Sequence, residues 1–554
     1  MRKIYTKILL LAFSLLLIIG LFRVSPYVTT FSTATENPES FPGLTVTDAE
    51  SIMANRTELF PDSNPGVCFN SSLLPYDAAS HTLYLSQDAG DALWQGYLIS
   101  KRSGYKLYTT SDPLWSDKSE AIRTNHLFTV WLADKSSYYE LQLCITGTPV
   151  LDIATDEVRP PEEYDYDTDP DSYVYERYES YVGSMVLFDP DGEGSVISSP
   201  LVFHKKGAST AGLSKSGYSL SLETPSGKKQ NLSLLGMRSD HSWKLNALYT
   251  DPNRIREMTA IQIWQEINTA DSDVEEPGAD MRYVEVIMDN EYLGLYALVE
   301  PIDSKKLSLE KNDVLYKVLD WTPPTVDEMQ DSANRSWNVR FPVRIRYPKN
   351  ITDYNAAWHP MQDYVSWVYY TAMPDYDEVS AKTSLANLCD FSIYLMVTSA
   401  SDNQFKNTYY AAKVQNNGSY VMYQIPWDMD LTFGNIYDFD SSIVSVYDPS
   451  YDLCYEDRAL LQLKAVNPEE VIPFFMDRWQ QYRESFLSDD ALEELMRSNQ
   501  EYLLSTGAAL READRWPDSG VTMDLDEILS FQKKRMHWLD TYFKEDWEDM
   551  IAKE

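Results

Sequence analysis

The chain has 554 residues, 85 acidic against 47 basic, for a net charge of −38. With 44% hydrophobic and 13% aromatic residues it can bury a full core, which excludes global disorder, and its length suits two or three domains. So acidic a surface repels phosphate backbones, which excludes nucleic acid as a partner and favours Lys/Arg-rich partners and cations.

Arg2, Lys3 and Lys7 precede a nearly unbroken apolar run, Ile8–Phe22, closed by Arg23. The run is shorter than the ~20 residues of a spanning helix and has the layout of a secretory signal or signal-anchor. The expectation is a protein outside the cytoplasm, secreted or held at the cell membrane by residues 1–24, with a Ser/Thr/Pro-rich linker over 25–44.

Short alternating runs (HTLYLS, GYLISKRSGYKLYTT, HLFTVWLA) predict a β-rich accessory domain over 45–137. Its Trp and Tyr residues serve core packing or, where exposed, a ligand such as a glycan. In the acidic stretch Pro160–Glu179, Asp165, Asp167, Asp169 and Glu176 follow the ligand spacing of a calcium loop. Pro170 stands where the loop needs Gly, so the stretch reads as a solvated acidic loop. The cysteines Cys68, Cys144, Cys389 and Cys454 are scattered without any C-x-x-C, which excludes a disulfide scaffold and a zinc ribbon.

Further strands follow in GSMVLFDP, SGYSLSLET and LSLLGMRS. Asp251-Pro252 announces a helix with an apolar stripe of Ile255, Met258, Ile261, Trp264 and Ile267. RYVEVIMDNEYLGLYALVE predicts a hairpin turning at Asp289-Asn290 and ending in Glu300-Pro301-Ile302-Asp303. From Pro468 the chain reads as amphipathic helices. Strands first and helices later predict an α+β fold with two lobes.

Familiar catalytic patterns such as G-x-S-x-G, H-E-x-x-H and the P-loop are absent, and the histidines show no ligand spacing. What stands out is SDNQFKNTYYAAK, entered from the apolar run Phe391–Ala400. Asp402 and Asn407 have the D-x-x-x-x-N spacing of a phosphoryl-transfer loop. That chemistry needs an aspartate to orient and deprotonate the acceptor hydroxyl, and an asparagine oxygen on a metal ion. It also needs a second aspartate bridging metal and nucleotide phosphates. Asp428, at the end of YVMYQIPWD, supplies that second aspartate, and Lys406 steadies the transferred group. Hard oxygen ligands of this kind suit Mg2+ or Mn2+.

The ordered segments YYELQLCITGTPVLDI, KKGASTAGLSKSGYSLSLE, SWKLNALYTDPNRIREM, VEVIMDNEYLGLYALVEPID, LYKVLD, SASDNQFKNTYYAA, IPWDMDLTFG and READRW resemble the spore coat protein H (CotH) kinase family. The resemblance covers residues 138–545. It implies an atypical protein-kinase-like fold, with an antiparallel sheet plus one helix in the N-lobe and a helical C-lobe. It implies ATP as phosphoryl donor and Ser/Thr of secreted, coat or surface proteins as acceptor. The acidic surface points to a Ser-rich basic substrate.

By the same resemblance Asp402 is the catalytic aspartate, and Asn407 and Asp428 hold the metal. Gly207-Ala208-Ser209-Thr210 turns over the phosphates, and Lys215 pairs with them. Glu300 sits in the hinge beside the base or ribose. Glu257 or Glu266, on the helix after Asp251, partners the lysine. Asp430 is either a second metal ligand or the cap of the turn before Gly434, and Lys317 competes with Lys215 for phosphate contact. Two positions depart from the family pattern, Lys206 for the usual Arg before Gly207 and Ser216 for the second of a lysine pair. They keep open a non-catalytic coat or surface assembly protein on a kinase-like fold. A third alternative reads Asp428-x-Asp430 as the D-x-D of a glycosyltransferase.

Overall fold

Alternation of apolar and polar residues dictates the middle of the chain, where seven strands close into a barrel. The computed structural model describes residues 39–91, 93–159, 179–190, 196–207, 213–270, 277–320, 337–338, 341–437, 443–450 and 457–547. The acidic stretch with the calcium-loop spacing, the apolar run Ile8–Phe22 and Ser209 lie outside them. The barrel strands are β1 (Val150–Arg159), β2 (Ser180–Phe188), β3 (Val196–Lys206), β4 (Gly217–Leu222), β5 (Ser242–Asn246), β6 (Met281–Met288) and β7 (Glu291–Val299). They run β1-β2-β3-β4-β5-β7-β6 around the barrel. Successive side chains point to opposite faces, so Leu201, Phe203, Tyr218, Leu220, Trp243, Leu245, Tyr296 and Leu298 fill the interior.

The N-lobe expectation of an antiparallel sheet is corrected at one seam. β1 and β6 pair in parallel, Val150 beside Glu285 through Ile153 beside Met288, and this pairing closes the sheet on itself. Closure leaves no open edge along the strands. The β6–β7 hairpin turns where expected, through Asp289 and Asn290 at φ 51° and 63°, the left-handed pair of a type I′ turn.

Upstream, a mixed sheet runs in the order Thr45–Val46, Lys106–Thr109, Leu127–Ala133, Ser137–Thr146, Thr82–Ser86, Tyr76–Asp77. Its tryptophans Trp94, Trp115 and Trp131 are buried. Trp115 stacks on Phe128 with ring centroids 3.6 Å apart, so these rings serve packing. The same core takes in Phe188, Ile287 and Tyr292 of the barrel.

Helix α1 (Arg256–Ala270) covers one outer side of the barrel, with Ile255, Met258, Ile261, Trp264 and Ile267 set against Met281, Tyr283, Ala297 and Val299. It starts later than Asp251-Pro252 suggests. Arg254 takes a left-handed backbone at φ 61°, which interrupts the helix. Asp251 instead accepts from the backbone N–H of Asn253 at 2.9 Å and of Arg256 at 2.7 Å.

A second antiparallel sheet holds β8 (Val314–Val318), β9 (Phe341–Tyr347), β10 (Thr408–Val414) and β11 (Tyr420–Pro426), in the order β9-β8-β10-β11 with Trp337–Asn338 outside β9. Helices α2 (Tyr354–Val365), α3 (Leu385–Thr398), α4 (Arg458–Val466), α5 (Pro468–Arg483), α6 (Asp489–Ser505), α7 (Ala508–Arg515) and α8 (Asp526–Tyr542) make up most of the rest. Helix α3 is buried from Asn387 to Thr398. It carries Asp390, whose charge is met by Arg478 at 2.7 and 2.8 Å and by the Tyr482 hydroxyl at 2.8 Å. The Asn387 amide exchanges two hydrogen bonds with the Gln424 backbone, at 2.7 and 3.0 Å, which fixes α3 against β11.

Helix α7 and the residue after it, the READRW segment, fasten the helical part to the barrel. Arg511 pairs with buried Glu285 at 2.7 Å, Arg515 donates to the Tyr292 carbonyl at 2.6 Å, and the Trp516 indole to the Leu293 carbonyl at 2.9 Å. The fold is thus α+β, with a β-sheet and barrel region first and a more helical region after it.

The expectation of a chain held at the cell membrane by its N-terminal segment is corrected. Among the described residues no helix is long and apolar enough to cross a membrane. The longest of them, α6 and α8, run 17 residues each and have charged faces.

Candidate functional site

The left-handed Ser399, at φ 52°, ends α3 and turns the chain into the loop that carries Asp402. Asp402 is 5% exposed. Its Oδ2 accepts from Asn407 Nδ2 at 2.8 Å and from Lys406 Nζ at 3.0 Å. The loop is tied to both neighbouring strands. Asn407 N donates to the Val318 carbonyl at 3.3 Å, and Trp427 N to the Asn407 carbonyl at 3.0 Å. The buried Asn403 amide bridges the carbonyls of Asn407 and Trp427, at 3.2 and 2.7 Å. Asn407 and Asp428 both hold left-handed backbones, φ 54° and 62°, a conformation that Asn and Asp adopt more readily than most residues.

Asp428 and Asp430 follow β11 directly. Asp430 accepts from Thr250 Oγ1 at 3.2 Å. Burial, with Asp428, Glu257 and Asp402 close by, holds the Asp430 carboxyl well above the usual carboxylate range. Glu257, in the first turn of α1, is pushed up to about 7 by burial and by Asp428. Glu257 and Asp428 also line one small cavity, with Ile261, Trp264, Tyr394 and Trp427, of about 10 Å³. Four carboxylates from three separate parts of the chain therefore crowd one region.

Lys206 faces them from the end of β3. Its ammonium donates to Asn246 Oδ1, and Asn246 Nδ2 donates on to Glu257 Oε1 at 2.6 Å. The lysine crosses over Gly217, its partner in register. A Cβ at Gly217 would come to 3.0 Å from Lys206 Cε and 2.9 Å from the Leu245 carbonyl, so glycine clears the path. Burial lowers the Lys206 pKa, and Asp428, Glu257 and Asp430 act against that shift.

The structure gathers some of the residues singled out from sequence and not others. Asp402, Lys406, Asn407, Asp428 and Asp430 come together at the ends of β8, β10 and β11. Gly207 directly follows Lys206 with φ 122°, whereas Ser209 lies outside the described residues. Lys215 is elsewhere, with its side chain fully buried. Its ammonium donates to both oxygens of Glu512, at 2.7 and 2.9 Å, and to the Leu295 carbonyl, and it lies 4.6 Å from the Tyr296 ring centroid. Glu300 is buried in an ion-pair cluster with Arg238 and with Lys306 Nζ at 3.1 Å. Lys317 Nζ stands 5.5 Å from the ring centroids of both Tyr409 and Trp427. Of the two glutamates considered on α1, Glu257 is buried at the cluster and Glu266 is exposed.

Lys206 and Asn246 were not assigned a role from sequence. The signal lies in alternation: Leu201 and Phe203 point into the barrel, so Lys206 on the other parity points out, and Asn246 does likewise after Leu245.

As a donor set for a divalent cation these side chains are chemically suited. Asp428 and Asp430 offer hard carboxylate oxygens, and Asn407 an amide oxygen once its Nδ2 is committed to Asp402. Among the described residues no three His, Cys, Asp or Glu side chains converge on a metal-sized gap.

A family model described as CotH kinase protein matches residues 203–539, well over half of the 554 residues. The matched span opens in β3 just before Lys206 and closes within α8. No curated protein matches the chain.

Proposed function

This chain belongs to the CotH kinase family, and from that membership we propose that it is a metal-dependent kinase transferring the terminal phosphoryl group of ATP to Ser or Thr hydroxyls of protein substrates. The observation that carries the reading is the meeting of two ends. Lys206, linked through Asn246 to Glu257, stands within Coulombic reach of Asp428 and Asp430, and those carboxylates lie beside the Asp402 loop. Phosphoryl transfer asks chiefly for positioning and for charge of both signs around the phosphates.

In this reading Asp402 accepts the proton of the acceptor hydroxyl as its oxygen attacks the terminal phosphorus and the bond to the leaving phosphate breaks. Lys406, paired with Asp402, lies where it can balance charge on the transferred group. Asn407, Asp428 and Asp430 would hold Mg2+ or Mn2+, which supplies charge neutralisation on the phosphates. Lys206 takes the role of phosphate-pairing lysine, with Glu257 on α1 as its partner through Asn246. Lys215 holds the start of β4 in place by its pair with Glu512. Glu300, locked by Arg238 and Lys306, borders the nucleotide.

The barrel with α1 forms one lobe and the second sheet with α2–α8 the other, in a kinase-like unit with the upstream mixed sheet, which includes Ser137–Thr146, as an accessory region. The net charge of −38 suits a basic, Ser-rich acceptor. The D-x-D alternative expects a doubly wound parallel sheet in its nucleotide half, unlike the largely antiparallel barrel here.

The test incubates the full chain with labelled ATP, Mg2+ or Mn2+ and a basic Ser-rich peptide, beside Asp402→Ala and Asp428→Ala. Label on the protein or peptide with wild type alone is the expected result. No label with wild type, and no rise in melting temperature with ATP, would overturn the reading.

A further inference from the structure

We propose that Tyr394 is a positioning residue of this site: its hydroxyl holds one enclosed water against Glu257 and Asp428, and that water ties helix α1 to the turn after β11. The consequence for phosphoryl transfer rests on the kinase reading above; the water and its partners stand on the geometry of the cavity.

The cavity lies between α1, which lends Glu257 and Trp264, helix α3, which lends Tyr394, and the turn that carries Asp428. At about 10 Å³ it has room for a single water, which needs ~10–15 Å³, and is too small for an organic ligand or a hydrated cation. Val299 and Met429 make its apolar side, so a water there depends on the polar groups of Tyr394, Glu257 and Asp428. The Tyr394 side chain is fully buried, and its hydroxyl has no hydrogen-bond partner among the described residues. A buried hydroxyl left unpaired is costly, and phenylalanine would fill the same place without that cost. The ring is held firmly. Its centroid lies 5.1 Å from that of Trp264, edge to face at 66°, and Trp264 packs over Gly278, where a Cβ would overlap its Cδ1. Burial, reinforced by the charge of Glu257, keeps the Tyr394 hydroxyl protonated, so it is a donor, while each carboxyl group offers an acceptor oxygen. A water between them accepts from the hydroxyl and donates one hydrogen to each carboxyl, which satisfies all three groups. Glu257 Oε1 already accepts from Asn246 Nδ2, and Asn246 accepts from Lys206. The water therefore joins Asp428 to the chain of contacts that carries Lys206.

Tyr394→Phe in the full chain removes the hydroxyl alone and tests this. A hydroxyl that holds a water loses a satisfied bond, and the urea midpoint falls; a hydroxyl that is merely unpaired gives a midpoint that rises. The expected results are a lower midpoint in metal-free buffer, roughly tenfold weaker binding of Mn2+ in calorimetry with MnCl2 alone, and a kcat lowered roughly tenfold with the KM for peptide unchanged. Ala279→Val, which narrows the cavity from another wall, should weaken Mn2+ binding in the same way and keeps the test decisive if Tyr394→Phe does not fold. A midpoint equal to wild type or above it would overturn the enclosed water. A lower midpoint with wild-type Mn2+ affinity and kcat would overturn the positioning role and spare the kinase reading. Tyr394-dependent Mn2+ binding without phosphoryl transfer by wild type would do the reverse. Wild type that neither binds Mn2+ nor transfers label would overturn both.

Discussion

Asn407 Nδ2 donates to Asp402 Oδ2 over 2.8 Å, so the two polar ends of one loop hold each other's orientation. Replacing Asp402 with Asn keeps the shape and removes the base. Phosphorylation is expected to fall by roughly 10²–10⁴, measured as label transferred from ATP, with the melting temperature within a few degrees of wild type. Retained activity would move the base elsewhere.

Gly217 clears the path of Lys206 to Asn246. Gly217→Ala brings a methyl to 2.9 Å from the Leu245 carbonyl and 3.0 Å from Lys206 Cε. A cost of about 1–3 kcal/mol is expected, read from urea unfolding. The rise in melting temperature with ATP should shrink further than that of a surface substitution matched for stability.

Glu512 is fully buried between Lys215 and Arg254, whose Nε lies 3.1 Å from it, and also accepts from Leu295 N at 2.8 Å. Glu512→Ala leaves two buried cations without their anion. A loss of about 3–5 kcal/mol is expected. Adding Lys215→Met should recover part of it in the same unfolding assay.

Asp430 is buried among Asp428, Glu257 and Asp402, and burial, reinforced by their charges, makes an ionised carboxyl there costly. Asp430→Asn should raise the unfolding midpoint in metal-free buffer, by roughly 0.5–2 kcal/mol. On the metal-dependent reading, Mg2+ or Mn2+ should raise the midpoint of wild type and raise that of Asp430→Asn less. A variant less stable than wild type without metal would contradict the crowding.

Asp457 caps α4, accepting from Leu460 N at 3.0 Å, and burial pushes its carboxyl up to about 6 from 3.8. The folded state therefore keeps a proton that the unfolded chain releases. This contribution to stability is greatest below pH ~4, declines as pH rises to ~6, and is level above that. Asp457→Asn keeps the side-chain oxygen and cannot ionise. Its midpoint relative to wild type should rise between pH 4 and pH 6.5; a flat difference would show that the Asp457 carboxyl titrates alike in the folded and unfolded chain.

The loop from Ser401 to Asn407 could be found from sequence because its cues are local: a polar break after an apolar run, with fixed spacing. The hairpin at Asp289-Asn290 was legible for the same reason. What escaped depends on distant partners. Phe391–Ala400 is mostly apolar, so periodicity cannot separate a buried helix from a strand, and much of it is the helix α3. The barrel closes through Val150–Ile153 and Glu285–Met288, far apart in the chain, and nothing in either segment announces a parallel partner. Lys215 stands next to a plausible phosphate turn, yet its fate is set by Glu512. Lys206, marked as a departure from the family pattern, is the lysine aimed at the carboxylates, and only the inward parity of Phe203 hinted at it.

The READRW helix carries a consequence for how the molecule is made. Lys215 and Glu512 are separated by 297 positions, and Glu285 and Arg511 by 226. Contacts of such span form late, because a long loop must close before they are rewarded. The barrel emerges from the ribosome well before the residue that neutralises Lys215. Until α7 arrives, both Lys215 and Arg254 lack their shared anion, and the strand and helix that present Lys206 and Glu257 lack their brace. A chain cut short before position 512 would carry Asp402, Asn407 and Asp428 intact and lack the anion that Lys215 and Arg254 share.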